Sequence, residues 1–116
     1  MSEKQLHTIL VVEDVDEISS NMRTALNKRG HRVVLALNAN QAIRIAEENR
    51  PAMILTDLDL PTFDSLMDQL RQHRDLKNML VAIIDINSPK IDGHKVNVLP
   101  DFRALDDLIE SSQASI

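Results

Sequence analysis

The sequence predicts an α/β domain built on a mainly parallel sheet. Five short apolar runs alternate with segments in which apolar residues recur at helical spacing. The first four runs are almost continuously apolar, as is typical of strands covered by helices on both faces. The length of 116 residues allows one domain with a real hydrophobic core. Strand–helix alternation of this kind is typical of parallel α/β folds.

Five strands are predicted, and the last differs from the others. Its polar residues Lys95 and Asn97 alternate with valines, which indicates a strand buried on one face. Only the ten residues 85–94 connect it to the fourth strand, too few for a crossover with a packed three-turn helix. Its direction therefore stays open, parallel or antiparallel. The five runs are TILVV (8–12), RVVLAL (32–37), AMILT (52–56), MLVAII (79–84) and KVNVL (95–99).

Four helices are predicted between and after these strands. In the first, Ile18, Met22 and Leu26 fall on one face. Gly30 is a suitable stop for this helix, and Pro51 ends the second. The helices begin at Asp16, near Ala39, near Phe63 and after the favourable N-cap Asp101.

The domain is expected to span residues 1–116, with a core at about 7–110 and a tail at 111–116.

The absence of Cys excludes disulfides and thiolate metal sites and makes a reducing cytoplasm the default location. A net charge of −5 and only two aromatic residues argue against nucleic-acid binding by this domain. No signal region or membrane-length apolar run is present.

The sequence contains only two glycines, so it has no glycine-rich phosphate-binding loop. The histidines show no metal-ligand spacing. We interpret the histidines as surface residues: His7, His31, His73 and His94.

Acidic residues follow two of the buried strands. Glu13 and Asp14 come directly after the first strand, Asp57 ends the third, and Asp59 lies two residues later. In doubly wound sheets, functional groups gather at the carboxyl ends of the strands. Two like charges 4 Å apart repel by about 4 kcal/mol at an effective dielectric of 20, so converging carboxylates need a cation or a proton. Oxygen ligands suit Mg²⁺. The alternative is that each acid caps the helix or turn after it.

The segments ILVVEDVDE, MILTDLDLP and TFDSLMDQLR resemble the receiver domain of two-component response regulators, over roughly residues 8–86. The resemblance implies a flavodoxin-like, doubly wound parallel five-stranded sheet in the order 2-1-3-4-5. It implies that Glu13 and Asp14 bind Mg²⁺ and that Asp57, also a metal ligand, accepts a phosphoryl group from a histidine kinase or phosphotransfer protein. The backbone carbonyl of Asp59 would complete the protein ligands. No other cofactor is implied.

The sequence departs from the family pattern at two switch positions. Receivers carry Ser or Thr after the fourth strand and Lys after the fifth, where this chain places Asp85 and Leu99. The family's helix between these strands is expected to be absent or replaced by a short loop, so we expect weak or no coupling of phosphorylation to output.

Two functions therefore stay open, and neither is a conventional enzyme. One is a phosphoacceptor receiver with Mg²⁺. The other is a pseudo-receiver that binds proteins, or a second copy of itself, without phosphorylation.

Overall fold

The computed structural model describes residues 7–13, 16–56, 63–84, 97–99 and 102–114. Within these ranges strands and helices alternate along the chain as far as the fourth strand, which confirms the predicted α/β class. The elements are β1 (Thr8–Val12), α1 (Asp16–Lys28), β2 (Arg32–Ala36), α2 (Ala39–Asn49), β3 (Met53–Thr56), α3 (Phe63–Gln72), β4 (Val81–Ile84), β5 (Asn97–Leu99) and α4 (Phe102–Ala114).

The five strands form one parallel sheet in the order β2-β1-β3-β4-β5. This is the order that the receiver resemblance implies, so the predicted fold is confirmed. The direction of β5, which the sequence left open, is parallel to β4.

The register brings the ends of the strands level with one another. Val12 pairs with both Ala36 and Thr56, and Thr56 pairs with Ile83. We call the edge where the strands end the carboxyl edge and the opposite edge the amino edge. The carboxyl edge is defined by the last strand residues Val12, Ala36, Thr56, Ile84 and Leu99.

Each face of the sheet is covered by two helices. Alternate strand residues such as Leu10 and Ile54 pack with α2 and α3, while Ile9 and Leu55 pack with α1 and α4. Both sets are fully buried, which explains why the strands read as continuous apolar runs. No helix in the described part of the chain is long and apolar enough to span a membrane.

Two apolar residues lie further out than their patterns predict. Ile18 is 37% exposed, and Ser19 is buried in its place because its hydroxyl donates to the Asp16 carbonyl at 3.1 Å. Leu37, predicted as the last residue of the second strand, is 53% exposed. The strand ends one residue earlier because the Leu37 N–H donates to the side chain of Gln41 in α2 at 2.6 Å.

The ends of the chain and the link before β5 are only partly described. Helix α4 continues to Ala114, four residues into the predicted tail, because no Gly or Pro interrupts it. The predicted loss of a helix between β4 and β5 concerns residues 85–96, which lie outside the described residues.

Candidate functional site

Glu13 is held at the carboxyl edge directly after β1. Its backbone N–H donates to the Ala36 carbonyl at 2.9 Å, which continues the β1–β2 pairing by one residue. The residue is only 4% exposed. A buried carboxylate is costly unless a partner stabilises its charge. The structure thus places Glu13, one of the predicted metal ligands, in a buried position at the end of β1.

Thr56 lies at the same edge, where it pairs with Val12. Its side chain is fully buried, and its hydroxyl donates to the Val12 carbonyl at 3.4 Å. Sequence reasoning treated this threonine only as the last residue of an apolar strand. A polar side chain at the end of such a run, immediately before the predicted phosphoacceptor, was the signal that could have indicated it.

The other predicted acids lie outside the described residues. They are Asp14, Asp57, Asp59 and Asp85. Among the described residues, Val12 and Thr56 are paired in register, and Glu13 and Asp57 follow them in the sequence.

Leu99, the residue at the expected lysine position, is the last residue of β5. It pairs with Ile84 of β4, the residue that follows Ile83, and Ile83 is the partner of Thr56. The position therefore belongs to the carboxyl edge, at the level that follows Thr56. An apolar residue occurs there in place of an ammonium group.

The predicted metal ligands form an oxygen-only set, which is the donor chemistry that Mg²⁺ prefers. Among the described residues, no group of three His, Cys, Asp or Glu side chains could hold a metal ion. Of the four predicted ligands, only Glu13 lies among the described residues.

A second charged group, at the amino edge, was not predicted. Asp106 of α4 accepts from Arg29 Nε through Oδ2 and contacts His31 Nε2 through Oδ1, both at 2.7 Å. We call these three residues the Asp106 cluster. The partners are 77 and 75 residues apart in sequence, so no local pattern indicates them. The interpretation of His31 as a surface residue is wrong, because its side chain is only 8% exposed.

The Asp106 cluster compensates its own charge. Burial alone would raise the pKa of Asp106, but the hydrogen bonds and charges of His31 and Arg29 outweigh it and lower the pKa below the ordinary value of 3.8. A cavity of about 180 Å³ adjoins the cluster. The imidazole of His7 lines it as well, with its ring centre 6.0 Å from that of His31.

Comparison with known proteins relates this chain to a family. A family model described as the response regulator receiver domain matches residues 9–84. Among curated relatives, the transcriptional regulatory protein AfsQ1 of Streptomyces coelicolor is 27% identical over 85 residues, covering 73% of this chain and 37% of AfsQ1. PrrA of Mycobacterium tuberculosis is 33% identical over 58 residues, covering 50% of this chain and 25% of PrrA. The chain thus spans about a quarter to two fifths of these relatives.

Solved structures share the fold at lower identity. The receiver domain of the sensor histidine kinase PA1611 from Pseudomonas aeruginosa superposes with a TM-score of 0.75 at 23% identity, covering 92% of this chain and 97% of that one. That structure contains a magnesium ion coordinated in its active-site cleft. The pseudo-receiver domain of the CikA protein also gives a TM-score of 0.75, at 21% identity, covering 90% and 95% of the two chains.

Proposed function

The chain belongs to the response regulator receiver domain family, and we propose that it accepts a phosphoryl group on Asp57 with the help of Mg²⁺. The donor is a phosphohistidine of a histidine kinase or phosphotransfer protein. One observation carries the proposal. The parallel register sets Val12 level with Thr56, and the chain leads from these residues directly into Glu13 and Asp57.

The residues at this edge fit a magnesium ion. Glu13 offers a carboxylate in a buried position at the end of β1. Asp14, Asp57 and the backbone carbonyl of Asp59 are the other proposed ligands, all of them oxygen donors. When bound, Mg²⁺ supplies the positive charge that offsets the negative charge of the phosphoryl oxygens during transfer. The magnesium ion in the PA1611 receiver domain supports this assignment.

The proposed transfer exchanges one bond for another. A carboxylate oxygen of Asp57 attacks the phosphorus atom, and an O–P bond forms as the N–P bond of the phosphohistidine breaks. The imidazole leaves with the electron pair of that bond and takes a proton from solvent. The proposed nucleophile is a carboxylate, which has no proton to lose, so the transfer needs no general base. Positioning and charge compensation therefore account for most of the catalysis.

Receiver domains are signalling domains and are generally not conventional enzymes. Any reaction of this chain would be confined to its own phosphorylation and the later hydrolysis of its acyl phosphate. With Asp85 and Leu99 at the two switch positions, no hydroxyl or ammonium group is expected there to bind the new phosphoryl oxygens. We therefore expect weak coupling between phosphorylation and any change of partner affinity or oligomeric state.

The position of Leu99 favours a second candidate function. Because Leu99 ends β5 at the level where a receiver carries its lysine, the domain could act as a pseudo-receiver. It would then signal through protein contacts, or by pairing with a second copy, without phosphorylation.

Intact-mass spectrometry separates the two candidates. The wild-type chain is incubated with Mg²⁺ and a small phosphoryl donor, beside Asp57→Ala and the exposed-acid control Asp107→Ala. We expect a mass gain of one phosphoryl group in the wild type and in Asp107→Ala, and none in Asp57→Ala or after chelation of Mg²⁺. If the folded wild type gains no mass from a small donor or from a phosphorylated histidine kinase, the pseudo-receiver is the better description.

A further inference from the structure

We propose that Thr56 is a positioning residue of the phosphoacceptor site: its hydroxyl group fixes the peptide through which the chain enters Glu13. This inference rests on the proposed function, because it assigns a role at the same metal site. Thr56 would touch neither the metal nor the phosphoryl group. It would act on the metal and the phosphoryl group indirectly, by orienting the acids that follow Val12 and Thr56 in the sequence.

The peptide between Val12 and Glu13 is held on two sides. Its N–H group, which belongs to Glu13, donates to the Ala36 carbonyl of β2 at 2.9 Å. Its carbonyl group, which belongs to Val12, accepts from the Thr56 hydroxyl of β3 at 3.4 Å. Both neighbouring strands therefore restrain the plane of this one peptide. A rotation of the plane would turn Glu13 away from its present direction.

The Thr56 hydroxyl is a buried polar group at the end of an otherwise apolar strand. Met53, Ile54 and Leu55 precede it in β3, and all four residues are fully buried. Burying a hydroxyl group costs free energy unless it is hydrogen-bonded, and an apolar residue of the same shape would avoid that cost. Valine has this shape and is common in buried strands. The hydroxyl is thus a feature that packing alone does not require.

The location of Thr56 connects both acidic segments. Val12 and Thr56 form the last pair of the β1–β3 register among the described residues. Glu13 and Asp57 follow them in the sequence. The side-chain hydrogen bond adds to the backbone pairing of the two strands at this position. Functional constellations tolerate displacements of only about 0.5 Å, so loosening this pair should weaken the metal site.

Isosteric substitution tests the role of the hydroxyl. Thr56→Val removes the donor and keeps the shape, while Thr56→Ser keeps the donor and removes a methyl group. Thr8→Val is the matched control, because it makes the same change in β1 at the amino edge. Mg²⁺ affinity is measured by isothermal titration calorimetry, since the chain has no Trp or Tyr to report binding by fluorescence. Urea unfolding followed by far-UV circular dichroism gives the stability of each variant.

We expect Thr56→Val to weaken Mg²⁺ binding roughly two- to fivefold, the lower part of the range expected from one hydrogen bond. Its stability should be equal to that of the wild type or higher. Thr56→Ser should bind Mg²⁺ nearly as tightly as the wild type, and Thr8→Val should be unchanged. The proposal is overturned if Thr56→Val binds as the wild type does, or if Thr56→Ser loses as much affinity as Thr56→Val.

Two further results stay interpretable. If Thr56→Val does not fold, Thr56→Ala replaces it, and equal affinities of Thr56→Ala and Thr56→Ser would overturn the role of the hydroxyl. If the wild type itself binds no Mg²⁺, the metal part of the proposed function fails, and the role of Thr56 fails with it. A loss of Mg²⁺ affinity in Thr56→Val alone is distinct from a failure of the proposed function, because the wild type still binds Mg²⁺.

Discussion

The two edges of the sheet use carboxylates in opposite ways. At the amino edge, Asp106 is compensated by groups of the chain itself, since Arg29 and His31 both contact it at 2.7 Å. At the carboxyl edge, the sequence places Glu13, Asp14 and Asp57 after neighbouring strands, and the expected lysine position holds Leu99. At the amino edge an ion pair within the chain joins two elements of the fold, whereas the proposed site at the carboxyl edge would need an external cation.

The largest expected effect tests the carboxyl edge. Glu13→Gln keeps the shape of the side chain and removes its charge. We expect Mg²⁺ affinity to fall by about tenfold or more, since even the loss of an outer partner of a metal ligand costs that much. Isothermal titration calorimetry measures the change, with the exposed-acid variant Glu110→Gln as the control. Unchanged affinity in Glu13→Gln would remove this residue from the metal site.

The next effect tests the amino edge. Asp106→Ala leaves Arg29 and the nearly buried His31 without their shared acceptor. We expect the free energy of unfolding to fall by about 1–2 kcal/mol, because hydrogen bonds to charged groups are stronger than neutral ones, although partial exposure of Arg29 and Asp106 reduces the loss. Urea unfolding measures it. Asp107→Ala, an exposed acid on the same helix, should change stability by less than about 0.5 kcal/mol. Equal losses in both variants would contradict a special role for the cluster.

The pH dependence of this stabilisation is smaller but has a definite sign. The pKa of Asp106 is lowered in the folded protein. Its contribution to stability is therefore fully present above its ordinary value of 3.8 and is lost as the pH falls through the lower folded pKa. The stability difference between the wild type and Asp106→Asn should shrink as the pH falls below about pH 4. A difference that grows as the pH falls below this value would contradict the sign.

The smallest effect concerns a backbone feature of the amino edge. Arg50, the C-cap of α2, has φ +48° and donates its N–H to the Ala46 carbonyl at 2.9 Å. Arg50→Gly relieves a left-handed conformation that residues with a side chain disfavour. The ion pair with Asp75, at 3.9 Å and exposed, is a weak loss. We expect a gain of about 0.5 kcal/mol in the free energy of unfolding. A loss of stability would show that the Arg50 side chain matters more than its backbone strain.

The sequence predicts the fold well because local patterns determine it. Continuous apolar runs indicate strands covered on both faces, and Gly30 and Pro51 end two helices near the observed positions. Ile18 shows the limit of this reasoning. Its spacing matches the apolar face of α1, but Ser19 satisfies its hydroxyl within the helix and is buried instead.

Contacts between distant parts of the chain could not be predicted. The Asp106 cluster joins residues 75 and 77 positions apart, and nothing near His31 in sequence distinguishes it from an exposed histidine. The Thr56 hydroxyl bond depends on the β1–β3 register, which no single run of residues specifies. The acids could be proposed as a site from the sequence because residues that follow adjacent parallel strands are expected to meet at one edge, and their convergence stays a prediction.

The most direct test of the difference between the two edges is a map of where a divalent cation binds. Mn²⁺ shares the preference of Mg²⁺ for carboxylate oxygens and broadens nearby amide signals in nuclear magnetic resonance spectra. At low Mn²⁺, we predict selective broadening around Val12, Glu13 and Thr56, with the signals of His31 and Asp106 unaffected. Excess Mg²⁺ should reverse the broadening. Broadening that begins at the amino edge, or that shows no preference for either edge, would contradict the assignment of the carboxyl edge as the metal-dependent phosphoacceptor site.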